Sequence, residues 1–247
     1  MIRFLLYTML ACSHPANAHI EIFDKINVKL NLDLRPEFDD SYTAEIDPYA
    51  EKGLRDSYLS SVVIDIGKDG TPVGTGSGNY FRMGKHRFVL TAAHVVNGAD
   101  DILIIEKGTV MTKAQVVYIS VDSDLAVLIP EEKLRYTKAL PFRRDINNQM
   151  GEKIYHTGHP GGEGWHMSEG ILTGTHEDVL MLNSFAWPGS SGSVVFDESG
   201  RVVGIVSALR MDAIMGVFPT FIEHIILASN IKTLDQDTLK AALRNGK

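Results

Sequence analysis

A chain of 247 residues that is 44% hydrophobic, with 22 glycines and nine prolines, can bury a sizeable core without disulfides or a structural metal, so a disordered chain is not the expectation. The formal charge is −7, and no run of Lys and Arg with interleaved aromatics occurs, so the electrostatic footprint of a nucleic-acid binder is missing. The mild acidity reads as a solubility feature.

The amino terminus carries Arg3, an apolar run over 4–11, and then Ala16-Asn17-Ala18, a small-x-small pattern suited to a signal peptidase. This predicts an export signal over 1–18, and the run is far short of the roughly 20 residues a membrane-spanning helix needs. No integral membrane segment is expected after processing. Cys12, the only cysteine, leaves with the signal. A second reading makes Cys12 the lipid-bearing first residue of a lipoprotein, because Leu10-Ala11-Cys12 resembles a lipobox.

Residues 19–60 are mixed in character, with Pro36 and Pro48, and receive no function. From residue 61 short apolar runs alternate with turns, at 62–66, 88–91, 102–105, 116–119 and 125–129. The stretch over 131–152 is polar and charged, as suits a connection between two units. A second series follows at 153–157, 168–174, 180–183, 193–196, 202–207 and 216–219, with Glu198-Ser199-Gly200 as a hairpin turn. In the tail over 231–247, Thr233 and Gln236 form a capping box ahead of the apolar stripe Leu234, Leu239 and Leu243, which predicts one terminal helix.

Three segments carry candidate chemistry. In 88–96 a strand runs through Thr91-Ala92-Ala93 into His94, where small neighbours let an imidazole suited to proton transfer approach another segment. A strand-end histidine without a role fits the same residues. In Asp122-Ser123-Asp124 an acid directly precedes an apolar strand, and a partly buried carboxylate can hold a histidine's tautomer. Asp122 reads as a turn acid, and Asp124 touches the apolar run. In 188–195 small residues precede a strand, a setting in which a hydroxyl can meet a carbonyl with backbone N–H groups beside it. A plain Gly/Ser turn is the alternative there.

Together these segments resemble the trypsin-like serine peptidases, nearest the disulfide-free Deg-type bacterial branch, over roughly 61–225. The likeness rests on Thr91-Ala92-Ala93-His94, Asp124-Leu125-Ala126-Val127-Leu128, Gly158-His159-Pro160-Gly161, Ser168-Glu169-Gly170-Ile171-Leu172, Gly189-Ser190-Ser191-Gly192 and Gly204-Ile205-Val206-Ser207. It implies an all-β fold of two antiparallel six-stranded β-barrels, about 61–135 and about 150–225, in a peptidase domain over 61–230 followed by the helix. It also implies a serine endopeptidase with an acyl-enzyme intermediate, no metal and no cofactor, acting on protein or peptide substrates. Ser191 would be the nucleophile, His94 the base, Asp124 its orienting acid, and the N–H groups of Gly189 and Ser191 the oxyanion hole.

The sequence departs from the family pattern in two places: Ser190 stands where Asp or Asn is usual, and Ser193 stands where a second Gly is usual. A Deg-type PDZ module is not expected. By the same resemblance Phe185 sits at the floor of the primary pocket, with no acid to pair a substrate Lys or Arg. Ser207, Ala208 and Leu209 would pair with the substrate backbone. A trypsin-fold protein that binds peptides without cutting them is the alternative function. An α/β-hydrolase is disfavoured, because Ser193 breaks Gly-x-Ser-x-Gly and the chain order is His, Asp, Ser.

Two further signals are set aside. Gly74-Thr75-Gly76-Ser77-Gly78 lacks the Gly-Lys-Ser/Thr ending of a phosphate loop, and in the resemblance it is a strand near the cleft. His156, His159 and His166 lack a completing carboxylate or cysteine at metal-ligand spacing and read as solvated loop histidines.

Overall fold

The computed structural model describes residues 46–107, 110–162, 164–214 and 218–246, with the backbone alone given for 209–214 and 218–223. The predicted signal over 1–18, Cys12 and most of 19–60 lie outside the described residues. So do 216 and 217 of the strand expected over 216–219.

The first barrel comprises β1 (Ser61–Lys68), β2 (Thr71–Met83), β3 (His86–Thr91), β4 (Asp101–Ile105), β5 (Met111–Ser120) and β6 (Leu125–Pro130). Its order is β1-β4-β5-β6-β3-β2, and β1 pairs back onto β2 to close it. Every pairing within the ring is antiparallel, while β7 (Leu140–Pro141) lies parallel on β2 outside it. The second barrel closes in the order β10-β13-β12-β11-β8-β9. Its strands are β8 (Lys153–Gly158), β9 (His166–His176), β10 (Val179–Asn183), β11 (Val194–Asp197), β12 (Val202–Ile214) and β13 (Phe218–Asn230). The two six-stranded antiparallel barrels expected from the resemblance are present.

Period-two burial explains why these segments are strands. In β10, Leu180 and Leu182 are buried and Asn183 is exposed, and in β4 it is Ile102 and Ile104 that point inward. One apolar core gathers Ile64, Phe81, Phe88, Leu90, Ile104 and Leu128, and a second gathers Ile154, Leu172, Leu180, Leu182, Val195 and Ile226. The terminal helix packs Leu239 and Leu243 into the first core, as its stripe predicts. Its cap differs from the expectation. Asp235, not Thr233, accepts from the Thr238 N–H at 2.8 Å, because 231–233 form a separate 3₁₀ turn in which the Thr233 hydroxyl donates to the Asn230 carbonyl.

The segment left without elements contains α1 (Lys52–Ser60), whose buried residues are Gly53, Asp56, Ser57 and Ser60. It docks on the second barrel through the Gly53 N–H, which donates to the Glu198 carbonyl at 3.2 Å, and through Ser57 Oγ, 2.8 Å from Thr157 Oγ1. A Cβ at Gly53 would stand 2.1 Å from the Asp197 carbonyl oxygen and 2.7 Å from the Tyr155 ring. Gly53→Ala should therefore lower the thermal unfolding midpoint, even though alanine favours a helix by about 1 kcal/mol. A midpoint that rises would show that α1 does not hold this close seat.

Candidate active site

Register brings the first two candidates together. Strands β3 and β6 pair Leu90 with Val127 and Thr91 with Ala126, so the residues just after β3 run beside those just before β6. A one-turn helix, α2 (Ala93–Val96), begins where β3 ends and carries His94. Asp124 immediately precedes β6, in the left-handed region at φ 48°, which Asp tolerates better than most residues. His94 Nδ1 lies 2.8 and 3.0 Å from the two Asp124 carboxylate oxygens, and the His94 backbone N–H donates to Oδ1 at 2.8 Å. The Ser207 hydroxyl also donates to Oδ2. With Nδ1–H given to the carboxylate, Nε2 is left with its lone pair, the tautomer a general base needs.

The third candidate sits in a turn held from both barrels. Ser77 on β2 donates its hydroxyl to the Gly189 carbonyl at 2.7 Å and its N–H to the Ser191 carbonyl at 2.7 Å. Gly192, at φ 89°, donates to the Val206 carbonyl at 2.8 Å, and a Cβ there would lie 2.2 Å from both the Ser77 carbonyl oxygen and Thr91 Oγ1. Only glycine fits a left-handed turn wedged this tightly against the strand that leads to His94. A Cβ on Gly76 would touch both the Val95 side chain and the Ser191 carbonyl oxygen, which puts Ser191 beside α2.

Two peptide planes in this turn have fixed directions. The Pro188 carbonyl accepts from the Gly161 N–H at 2.8 Å, and the Ser190 carbonyl accepts from the Ser193 N–H at 3.1 Å and from Ser193 Oγ at 2.7 Å. In a trans peptide the C=O and the following N–H point opposite ways, so the Gly189 and Ser191 N–H groups are turned away from those partners. Neither donates a hydrogen bond among the described residues.

Beside the turn is a small cavity of about 30 Å³ lined by Ala186, Trp187, Pro188, Ser191, Val206, Ser207 and Ala208. Ser207 and Ala208 are thus at the site, with the Ser207 side chain given to Asp124. The Phe185 side chain is 50% exposed and is not among the lining residues. For Leu209 the backbone alone is described, paired with Ile226. Sequence reasoning missed Ser77, which had been read only as part of a glycine-rich strand.

The histidines read as solvated require correction. His166 is exposed, but His156, on β8, and His159, just past its end, are fully buried, because β8 leads the chain from the wall of the second barrel toward the 188–193 turn. His159 Nε2 lies 2.7 Å from Ser61 Oγ, and Nδ1 lies 3.0 Å from the Gly164 carbonyl oxygen. Burial pushes His159 down to about 3, and burial likewise pushes His156 down to about 4, against a smaller pull from the Phe185 carbonyl. Among the described residues no group of His, Cys, Asp and Glu could hold a metal ion.

Solved structures share this double-barrel fold. The HtrA-type protease AlgW with tripeptide superposes with a TM-score of 0.64 at 23% identity, over 79% of this chain and 64% of that one. A serine endoprotease from Yersinia pestis gives 0.60 at 22%, over 79% and 66%. The family model of the trypsin-like peptidase domain matches residues 76–205, more than half of the chain, and the chain belongs to that family. Among curated proteins it is similar to the chloroplastic Protease Do-like 1 of Arabidopsis thaliana, 29% identical over 56% of this chain. It is likewise similar to a probable periplasmic serine endoprotease, DegP-like, of Bartonella henselae, 28% identical over 56%. The matched region spans about a third of these relatives' length, 34% and 28%. No helix among the described residues is long and apolar enough to cross a membrane.

The two buried histidines make stability depend on pH. Both have folded values below the ordinary 6.5, so between about 6.5 and 4 the unfolded chain binds protons that the folded chain refuses, and stability falls as pH falls through that window. Denaturant unfolding followed against pH should show this slope, and His156→Gln should reduce it by about one proton. An unchanged slope in the variant would show that His156 titrates normally when folded.

Proposed function

We propose that the chain is an exported serine endopeptidase in which His94, Asp124 and Ser191 form the catalytic triad. The observation that carries the reading is the double contact of Asp124 with His94 Nδ1 beside a turn that holds Ser191 against the same barrel. As Ser191 Oγ attacks the scissile carbonyl carbon, its proton passes to His94 Nε2, and Asp124 stabilises the imidazolium. The oxyanion is received by the N–H groups of Gly189 and Ser191. The imidazolium then protonates the leaving amine as the C–N bond breaks, leaving an ester on Ser191. Water, deprotonated by His94, attacks that ester, and the imidazolium returns the proton to Ser191 Oγ as the C–O bond breaks and the acid leaves.

An extended peptide is expected to pair with the backbone of β12 at Ser207, Ala208 and Leu209. The cavity beside Ser191 has no acidic residue in its lining, and Ala186, Val206 and Ala208 favour a small apolar side chain over Lys or Arg. Export follows the small-x-small pattern at 16–18 and agrees with the periplasmic description of the DegP-like relatives.

Casein hydrolysis by the purified protein should vanish in Ser191→Ala, and Asp124→Asn should lower turnover on the order of 10⁴-fold with the fold intact. A peptide library should return cleavage after small apolar residues. Full casein hydrolysis by Ser191→Ala would refute the assignment of the nucleophile.

A further inference from the structure

Ser193 stands where the family resemblance expects glycine, and its side chain is fully buried two residues past Ser191. Its hydroxyl donates to the Ser190 carbonyl at 2.7 Å, shorter than the 3.1 Å contact that the Ser193 N–H makes with the same oxygen. That carbonyl belongs to the peptide unit whose other end is the Ser191 N–H. A donor that fixes the carbonyl fixes the N–H with it, since the unit is planar.

The same oxygen of Ser193 is backed by a buried imidazole. His156 Nδ1 lies 3.5 Å from Ser193 Oγ, and its Nε2 lies 3.3 Å from Ser184 Oγ. The Ser184 hydroxyl donates to the Glu169 carbonyl at 3.0 Å, so both hydroxyl hydrogens go to carbonyls, and the neutral imidazole has a single N–H to give. Next to Ser184, the Phe185 carbonyl accepts that N–H. Of these contacts, the Ser193 hydroxyl on the Ser190 carbonyl is the one that reaches the Ser190–Ser191 peptide. Ser190 is the other departure from the family pattern, and its hydroxyl accepts from the Trp187 N–H at 3.3 Å, within the turn itself. The turn is braced by local serines on its inner side.

We propose that Ser193 is a positioning residue that holds the Ser191 N–H in the direction required to receive an oxyanion. The proposal rests on the peptidase reading above. Such a residue acts on the transition state and not on the bound substrate, so its loss should appear in turnover and in the affinity of tetrahedral analogues, with KM spared.

The test compares wild type, Ser193→Ala and Ser193→Gly on one peptide substrate and with a peptide boronic acid, which forms a tetrahedral adduct. Complete loss of an oxyanion donor typically costs about 10²–10³ in turnover, and misdirecting one should cost part of that. Both variants should lose on the order of 10-fold in kcat and a comparable factor in boronate affinity, with KM within about twofold and the unfolding midpoint nearly unchanged. An active wild type whose variants keep kcat and boronate affinity overturns the positioning role alone, and so does a loss confined to KM. A wild-type chain with neither turnover nor boronate binding overturns the peptidase reading and this one together.

Discussion

Everything near the candidate site depends on how one strand of the first barrel grips the second. Ser77 and Asn79 are two residues apart on β2 and so face the same way. Ser77 takes the carbonyls of Gly189 and Ser191, while Asn79 accepts from the Val194 N–H at 2.9 Å and donates to α1 through the Ser57 carbonyl and Ser60 Oγ. All four serine and asparagine side chains in this seam are buried or nearly so. Buried polar groups must be partnered, and here the partners lie on three elements, the 188–193 turn, β11 and α1, so the seam fixes a relative placement that apolar contact alone would leave free to slide. The two barrels can then be built independently and still bring distant stretches of chain into register.

Against that frame the charge pattern of the site is economical. Asp124 collects three donors, the His94 N–H and Nδ1–H and the Ser207 hydroxyl, which orient its carboxylate. The other histidines near the turn are kept neutral by burial, so no second charge competes with the imidazole that faces the carboxylate. The Gly189 and Ser191 N–H groups owe their directions to partners on the opposite ends of their peptide units, Gly161 for one and Ser193 for the other.

Much of this was legible in the residues. Strands with an inward Leu or Ile at every second position declared themselves, and small residues before His94 and around Ser191 marked where the chain had to turn. What escaped had no apolar signature. β2 runs through Gly74-Thr75-Gly76-Ser77-Gly78, so no hydrophobic alternation announces it and the family resemblance alone marked it as a strand, although its glycines are needed where Val95 and Val89 press on the strand. α1 buries Gly53, Asp56, Ser57 and Ser60, a polar face that periodicity of apolar residues cannot find. His156 and His159 looked like loop histidines because Gly, Pro and Thr surround them, whereas their burial follows from the closure of a barrel, which is a property of pairing between distant strands. The helix cap slipped from Thr233 to Asp235 because the two offer the same chemistry and tertiary packing chose between them.

The central claim is that one hydroxyl among three neighbouring serines is activated by His94. Reaction with a fluorophosphonate followed by peptide mapping tests it directly. A single adduct on Ser191, lost when His94 is replaced by alanine, is the predicted outcome. An adduct on Ser190 or Ser193, or labelling at Ser191 that persists undiminished without the imidazole, would contradict the account.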